Sequence, residues 1–261
     1  MLSILKLESL ETLLVTLGHF FIFAWAGIKS IFQRPYRWED FFKQLEFVGN
    51  KSVLIIFLTG AFTGLALSLQ IYLGFSMVGA PNLVGPTVAL GIFRELGPVL
   101  SGLIVAARAG GAMAAQLGTM RVSEQIDAIK VIGVDPIQYL VGPRILASFI
   151  SLPLLCAFFD FVAMAGSHVL CVYVLEIDAA IFWDKIKEWI NPSDVTQGLV
   201  KAAFFGLFFS IICTYRGYYT TGGAKGVGES TNRGVVISMV TIIISDYVLT
   251  NFIRLYFQVF R

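Results

Sequence analysis

The sequence predicts an all-α polytopic membrane protein with an N-terminal interfacial amphipathic helix, five transmembrane helices, and a short charged cytoplasmic helix between spans two and three. Three observations carry this. Hydrophobic residues make up 57% of the 261 positions and charged residues 14%, with a mean hydropathy of +0.79; that is too little polar surface to close a water-soluble globule. The longest uncharged run lies between Lys51 and Arg94 and exceeds the ~20 apolar residues that one helical span needs. Further apolar runs follow it, separated by short segments rich in charge, Gly or Pro. Residues 1–50 read as an N-terminal segment and residues 51–261 as a transmembrane domain.

Residues 2–32 alternate apolar clusters with Lys6, Glu8, Glu11, His19 and Lys29. The densest apolar part, 13–28, is short for a span, so a helix lying in the membrane interface is expected, with a short extra span as the alternative. Glu8 and Glu11 stand where a signal peptide has its basic region, and no small-residue cleavage site follows; the N-terminus is expected to be retained. The five spans are predicted at 53–73, 84–107, 145–172, 198–215 and 235–257, with a turn around Gly79, Ala80, Pro81 and Asn82.

Basic residues resist translocation and set orientation. Lys6, Lys29, Arg34, Arg37, Lys43 and Lys51 precede the first span, and Arg108, Arg121, Lys130 and Arg144 are assigned to the connection between spans two and three. Arg216, Lys225 and Arg233 precede the last span, whereas the connection between spans three and four has only Lys185 and Lys187 among its acids. The alternation predicts a cytoplasmic N-terminus, an outside C-terminus and residues 120–136 in the cytoplasm.

That stretch, "MRVSEQIDAIKVIGVDP", reads as a helix of roughly nine residues. Ser123 can cap it, Glu124 complements its positive end, and Gly133 with Pro136 stops it. Val122, Ile126 and Ile129 fall on one side, with Glu124, Asp127 and Lys130 on another. A helix lying along the membrane with its charges outward suits contact with a soluble partner; a solvated connector is the alternative.

Residues 93–136, "FRELGPVLSGLIVAARAGGAMAAQLGTMRVSEQIDAIKVIGVDP", and residues 217–240, "GYYTTGGAKGVGESTNRGVVISMV", together resemble the MlaE/YrbE permeases of lipid-trafficking ABC systems that work with MCE-domain proteins. The resemblance covers about residues 50–257. It implies a coupling helix at Glu124 and Gln125, with Asp127 and Lys130 beside them, contacting a separate pair of ABC ATPase subunits. It further implies a homodimer, phospholipid as cargo, a periplasmic MCE-domain oligomer, and a small STAS-domain protein as a further partner. The location implied is the bacterial inner membrane. Lys225 departs from the acid found there in many relatives, and the 173–197 connection is not diagnostic.

No G-x-x-x-x-G-K-[ST] phosphate loop is present, and in "GGAKGVGES" the lysine precedes the last glycines. No cofactor is therefore expected on this chain, ATP and Mg falling to the partner ATPase. Cys156, Cys171 and Cys213 have no metal-ligand spacing, and His19 and His168 have no catalytic partner at useful spacing. The chain reads as non-enzymatic, and a net charge of +2 without a basic patch excludes a nucleic-acid reading.

Charges inside spans are costly and are rarely kept without a use or a partner. Arg94, Glu95, Lys201 and Asp246 are predicted to form a polar cluster at the base of a substrate cavity, or an ion-pair network that fixes helix register. Asp160 stands alone on span three. Leu67, Ile71, Gly74, Phe75 and Val78 share one side of span one and are predicted to line an acyl-chain cavity. Gly102, Ala106, Gly110, Ala114 and Gly118 form a small-residue ridge, with Gly60 and Gly64 as a second; each fits a dimer contact or packing within one subunit. Trp183 and Trp189 mark an interfacial helix where the MCE partner can sit. The competing functional readings are a proton-coupled secondary transporter and a membrane anchor without transport activity.

Overall fold

In a computed structural model, residues 2–259 are described, together with the side chains of residues 14–255. The chain is helical throughout its elements: α1 (Leu2–Ile31), α2 (Trp38–Val48), α3 (Val53–Met77), α4 (Val84–Gly91), α5 (Gly97–Val105), α6 (Gly111–Val122), α7 (Gln125–Val131), α8 (Gly142–His168), α9 (Ala179–Trp189), α10 (Pro192–Tyr218) and α11 (Gly223–Val259). Helices α4, α5 and α6 form one rod, joined by π-helical turns at Ile92–Leu96 and Ala106–Gly110. Among the described residues, six helices are long and apolar enough to cross a membrane, and the protein is an all-α polytopic membrane protein.

Helix α8 is the centre of the bundle, burying Ile145, Leu152, Phe159 and Ala163. Small residues bring α3 against it. A methyl added at Gly60 would lie 3.1 Å from the Phe159 carbonyl oxygen, and one at Gly166 would lie 2.7 Å from that of Ala61. At Gly64 a methyl would overlap the Ala163 carbonyl. The longer ridge packs on α10 and α11: Gly102 faces Phe205 and Ile242, Gly110 faces Cys213 and Phe209, and Gly118 faces Thr220 and Val227. Both small-residue ridges thus serve close packing within one chain, as lipid supplies no hydrophobic drive between helices, and neither is free to pair two copies.

Span positions follow the hydropathy, but three stretches differ from expectation. The first is α1, whose window Leu14–Ile31 is the sixth helix long enough to cross. Its buried stripe of Phe23 and Ser30 meets α8 and α10, while Leu14, Val15, Phe21, Ile22 and Trp25 are exposed. The outward face from residue 14 is therefore apolar rather than charged, as suits a helix embedded in lipid. The side chains of Lys6, Glu8 and Glu11 lie outside the described residues. The amphipathic helix of this region is α2 instead, where Phe41 and Val48 are buried and Glu39 and Lys43 pair at 2.6 Å in the open.

The second difference is the placement of two basic residues assigned to a loop. Arg108 lies in the second π-helical turn and Arg144 inside α8. Arg108 donates from Nε to Ser52 Oγ at 2.9 Å and from Nη2 to the Phe47 and Val48 carbonyls, so it ties the rod to the end of α2. Arg144 is buried and donates to the Leu140 carbonyl. The third is the glycine-rich stretch before the last span, of which only 219–222 is loop. Gly222 and Gly223 take φ of +88° and +64°, a region open to glycine, and a side chain at Gly226 would overlap the Thr221 carbonyl as α11 begins.

Candidate functional site

The buried charges assemble around Lys201, a fully buried side chain on α10. Gly198, one turn earlier, lets α10 press on the Phe93 carbonyl, which a methyl there would overlap. Proline has no N–H to give to the carbonyl four residues back, so Pro98 leaves the Arg94 carbonyl available at the first π-helical turn. Lys201 Nζ donates to that carbonyl at 2.8 Å and to Glu95 Oε2 at 2.8 Å, and pairs with Asp246 Oδ1 at 3.0 Å. Two of the ammonium's donors thus have hydrogen-bond acceptors, and the Asp246 contact is an ion pair. Thr250 closes the far side, its hydroxyl 3.4 Å from Glu95 Oε1.

The Arg94 side chain does not join this group. It turns to Asp194, which accepts from Nε at 2.9 Å and from Nη2 at 2.7 Å. Asp194 Oδ2 also accepts from the Asn191 N–H in the capping box that opens α10. The signal for Asp194 was present in the sequence as "NPSD", a helix-start pattern with a side-chain acceptor three residues after the cap. The predicted cluster of four is thus a Lys201–Glu95–Asp246 triad plus a separate Arg94–Asp194 pair. Asp160 remains apart, with Oδ1 buried and unpartnered against Gly97, and Cys156 Sγ 3.8 Å from Oδ2.

The second candidate region is α7. Ser123 does not cap it: its hydroxyl donates to the Thr119 carbonyl at 2.8 Å and ends α6. Glu124 then turns the chain with φ of 58°, the left-handed region, so α7 has seven residues. Ile126 is buried, and with Ile129 it packs on Leu117, Leu140 and Tyr218. Val122, expected on the same side, is exposed. Glu124, Gln125, Asp127 and Lys130 all face outward, and among the described residues only Asp127 is paired, with Arg121 at 2.7 Å. Val131 and Ile132, at 86% and 74% exposed, extend this surface with an apolar tip that residue patterning did not single out.

The predicted lining of span one divides. Leu67, Ile71 and Phe75 pack against the core of their own chain, while Gly74 and Val78 are exposed. At the end of the bundle away from α7, α9 is capped by Asp178 Oδ1, which accepts from the Ala180 and Ile181 N–H groups. Phe182 is buried beside Gly85 and His168, while Trp183 and Trp189 are about two-fifths exposed.

Ion pairs inside an all-helical multi-pass bundle, with a braced helix displaying charge at one end, define a polytopic membrane protein of the kind that includes permeases. The profile of the permease MlaE family matches residues 41–252, and the chain belongs to that family. A probable ABC transporter permease protein of Rickettsia conorii is 41% identical over 244 residues, covering 94% of this chain and 93% of the relative. The chloroplastic protein trigalactosyldiacylglycerol 1 of Arabidopsis thaliana is 41% identical over 231 residues, 88% of this chain and 66% of that protein. The intermembrane phospholipid transport system permease protein MlaE of Haemophilus influenzae is 34% identical over 209 residues, 80% of each chain.

Proposed function

We propose that this chain is the membrane subunit of an ABC transporter that moves phospholipid between the bacterial inner membrane and a periplasmic MCE-domain protein. ATP and Mg are held by a separate ATPase pair that docks on α7. The observation that carries this reading is α7 itself, anchored by Ile126 while Glu124, Gln125, Asp127 and Lys130 face outward. It is supported by the family match and by the relative in Haemophilus influenzae whose name states phospholipid transport. In this reading α7 is cytoplasmic, and α9 and the C-terminus face the periplasm, where Trp183 and Trp189 offer a contact for the MCE partner.

A homodimer completes the assembly through α11, whose Val236, Val240, Ile243, Ile244 and Tyr247 are exposed. The Lys201 triad and the Arg94–Asp194 pair hold the α4–α6 rod, α10 and α11 in register beside the cavity between the two copies. A small STAS-domain protein is an additional partner in this reading. Native mass spectrometry of the complex, extracted gently through a tag on this chain, tests it. Two copies with an ATPase pair, an MCE-domain oligomer and phospholipid are expected, with selective loss of the ATPase in Glu124→Lys. A chain that emerges without any nucleotide-binding partner, under conditions that preserve other ABC complexes, overturns the ATP-driven reading. Proton-coupled transport through the isolated carboxylate of Asp160 then becomes the better account.

A further inference from the structure

A cavity of about 580 Å³ opens between α1, α10 and α11 and is lined by none of the Lys201 triad. Leu17, Phe20 and Ala24 form one wall, Leu207 and Ile211 the second, and Ile237 the third. Phe20 is fixed edge-on to Tyr215, with ring centroids 5.3 Å apart. Arg216 lies at one end of this apolar trough, two residues before α10 stops at Tyr218. The side chain is half-buried, and its guanidinium has no ion pair or hydrogen bond among the described residues. Arg94, Arg108 and Arg144, which also lie within the bundle, have acceptors.

From Leu207 to Arg216 the trough runs along about two and a half turns of α10, about 13 Å at the helical rise. Tyr218 and Tyr219 mark the same level as Arg216, where aromatic side chains meet the headgroup layer. An apolar trough that runs into the bilayer from a cation at headgroup depth matches one molecule, with its phosphate outward and an acyl chain inward. We infer that this groove is a binding site for an anionic glycerophospholipid, its phosphodiester on Arg216 and an acyl chain between α1 and α10. Nothing in this inference depends on transport: the lipid fills the space between α1 and its two neighbours and completes their packing.

The full-length protein in phosphatidylcholine nanodiscs, doped with phosphatidylglycerol carrying a photoreactive acyl chain, provides the test. Adducts are expected to concentrate on 14–28 and 207–216, several-fold above the outward face of α8 at Phe149, Ile150, Leu154 and Phe161. Ala24→Trp, which fills the trough, is expected to reduce adducts there several-fold and leave those on α8 unchanged, which controls for folding. Arg216→Gln is expected to abolish the preference over a phosphatidylcholine probe with the same acyl chain, and Arg216→Lys to keep it. Even labelling of all lipid-facing helices overturns the proposal, as does labelling of the trough that neither variant changes. Cross-linking of the trough to a second copy of the chain in place of lipid also overturns it.

Discussion

The two ends of the α4–α6 rod treat charge in opposite ways. Arg94, Glu95 and Lys201 each have an ionic partner on another helix: Arg94 has Asp194, Glu95 has Lys201, and Lys201 also has Asp246, with the carboxylate of Asp160 against Gly97 the exception nearby. On α7, beyond the rod's other end, Glu124, Gln125 and Lys130 have no side-chain partner among the described residues, and Asp127 has only Arg121. Satisfied charges in a low-dielectric interior fix how helices sit, and losing one partner strands the other. Unpaired charges on a braced surface helix contribute little to the fold and remain available to another molecule.

The sharpest way to break this contrast is Lys201→Met. It leaves Glu95 and the Arg94 carbonyl without their donor and Asp246 without its ion-pair partner, and is expected to cost about 3–5 kcal/mol, read as a lower unfolding temperature in detergent. Adding Asp246→Asn should recover part of the loss by removing one stranded charge. The charge swap Glu95→Lys with Lys201→Glu is expected to fail, because a carboxylate at 201 would face Asp246 and the Arg94 carbonyl, both acceptors. Recovery of stability in that swap contradicts the donor geometry.

Next in size is Asp194→Ala, which removes a cap and a charged acceptor together and is expected to cost about 1.5–3 kcal/mol. Arg94→Gln should cost less, because the Arg94 side chain is 47% exposed against 2% for Asp194. Equal losses in thermal unfolding would mean that the capping role of Asp194 adds nothing.

On α7 the expectation inverts. Glu124→Asn keeps a residue that tolerates positive φ and is expected to change stability by under ~0.5 kcal/mol, yet to reduce co-purified ATPase several-fold. Glu124→Val places a β-branched residue at φ of 58° and should cost about 1–3 kcal/mol through strain. The smallest change in stability is expected for Val131→Ser with Ile132→Ser, which should weaken ATPase retention alone. Intact retention in that pair would remove the apolar tip from the docking surface.

Hydropathy located the spans and the interruption at 120–136, because those signals are local in the chain. What it could not supply was the choice between neighbours. Gly102 to Gly118 looks the same facing a second copy as it does facing Phe205 and Cys213, and only tertiary packing decides. The partner of Arg94 lies 100 residues away, although "NPSD" already marked Asp194 as a capping acceptor. The π-helical turns carry Arg94 and Arg108, whose acceptors lie on α10 and at the end of α2, and Pro98 was the one local hint. Charge counting assigned Arg108 and Arg144 to a loop because it sees composition, not the carbonyls that satisfy them. In α1, Lys29 and His19 suggested a wet face, whereas the exposed side chains from Leu14 to Trp25 are mainly apolar.

The most direct measurement is ATP-dependent transfer of a fluorescent phospholipid between proteoliposomes holding the complete complex and its MCE-domain acceptor. Three chains are compared: the native one, Glu124→Asn, and Lys201→Met with Asp246→Asn. The account predicts transfer that stops without ATP, is lost in Glu124→Asn with the fold intact, and in the double variant falls in step with its loss of stability. Transfer that proceeds without ATP, or that Glu124→Asn leaves at the native rate, would contradict it.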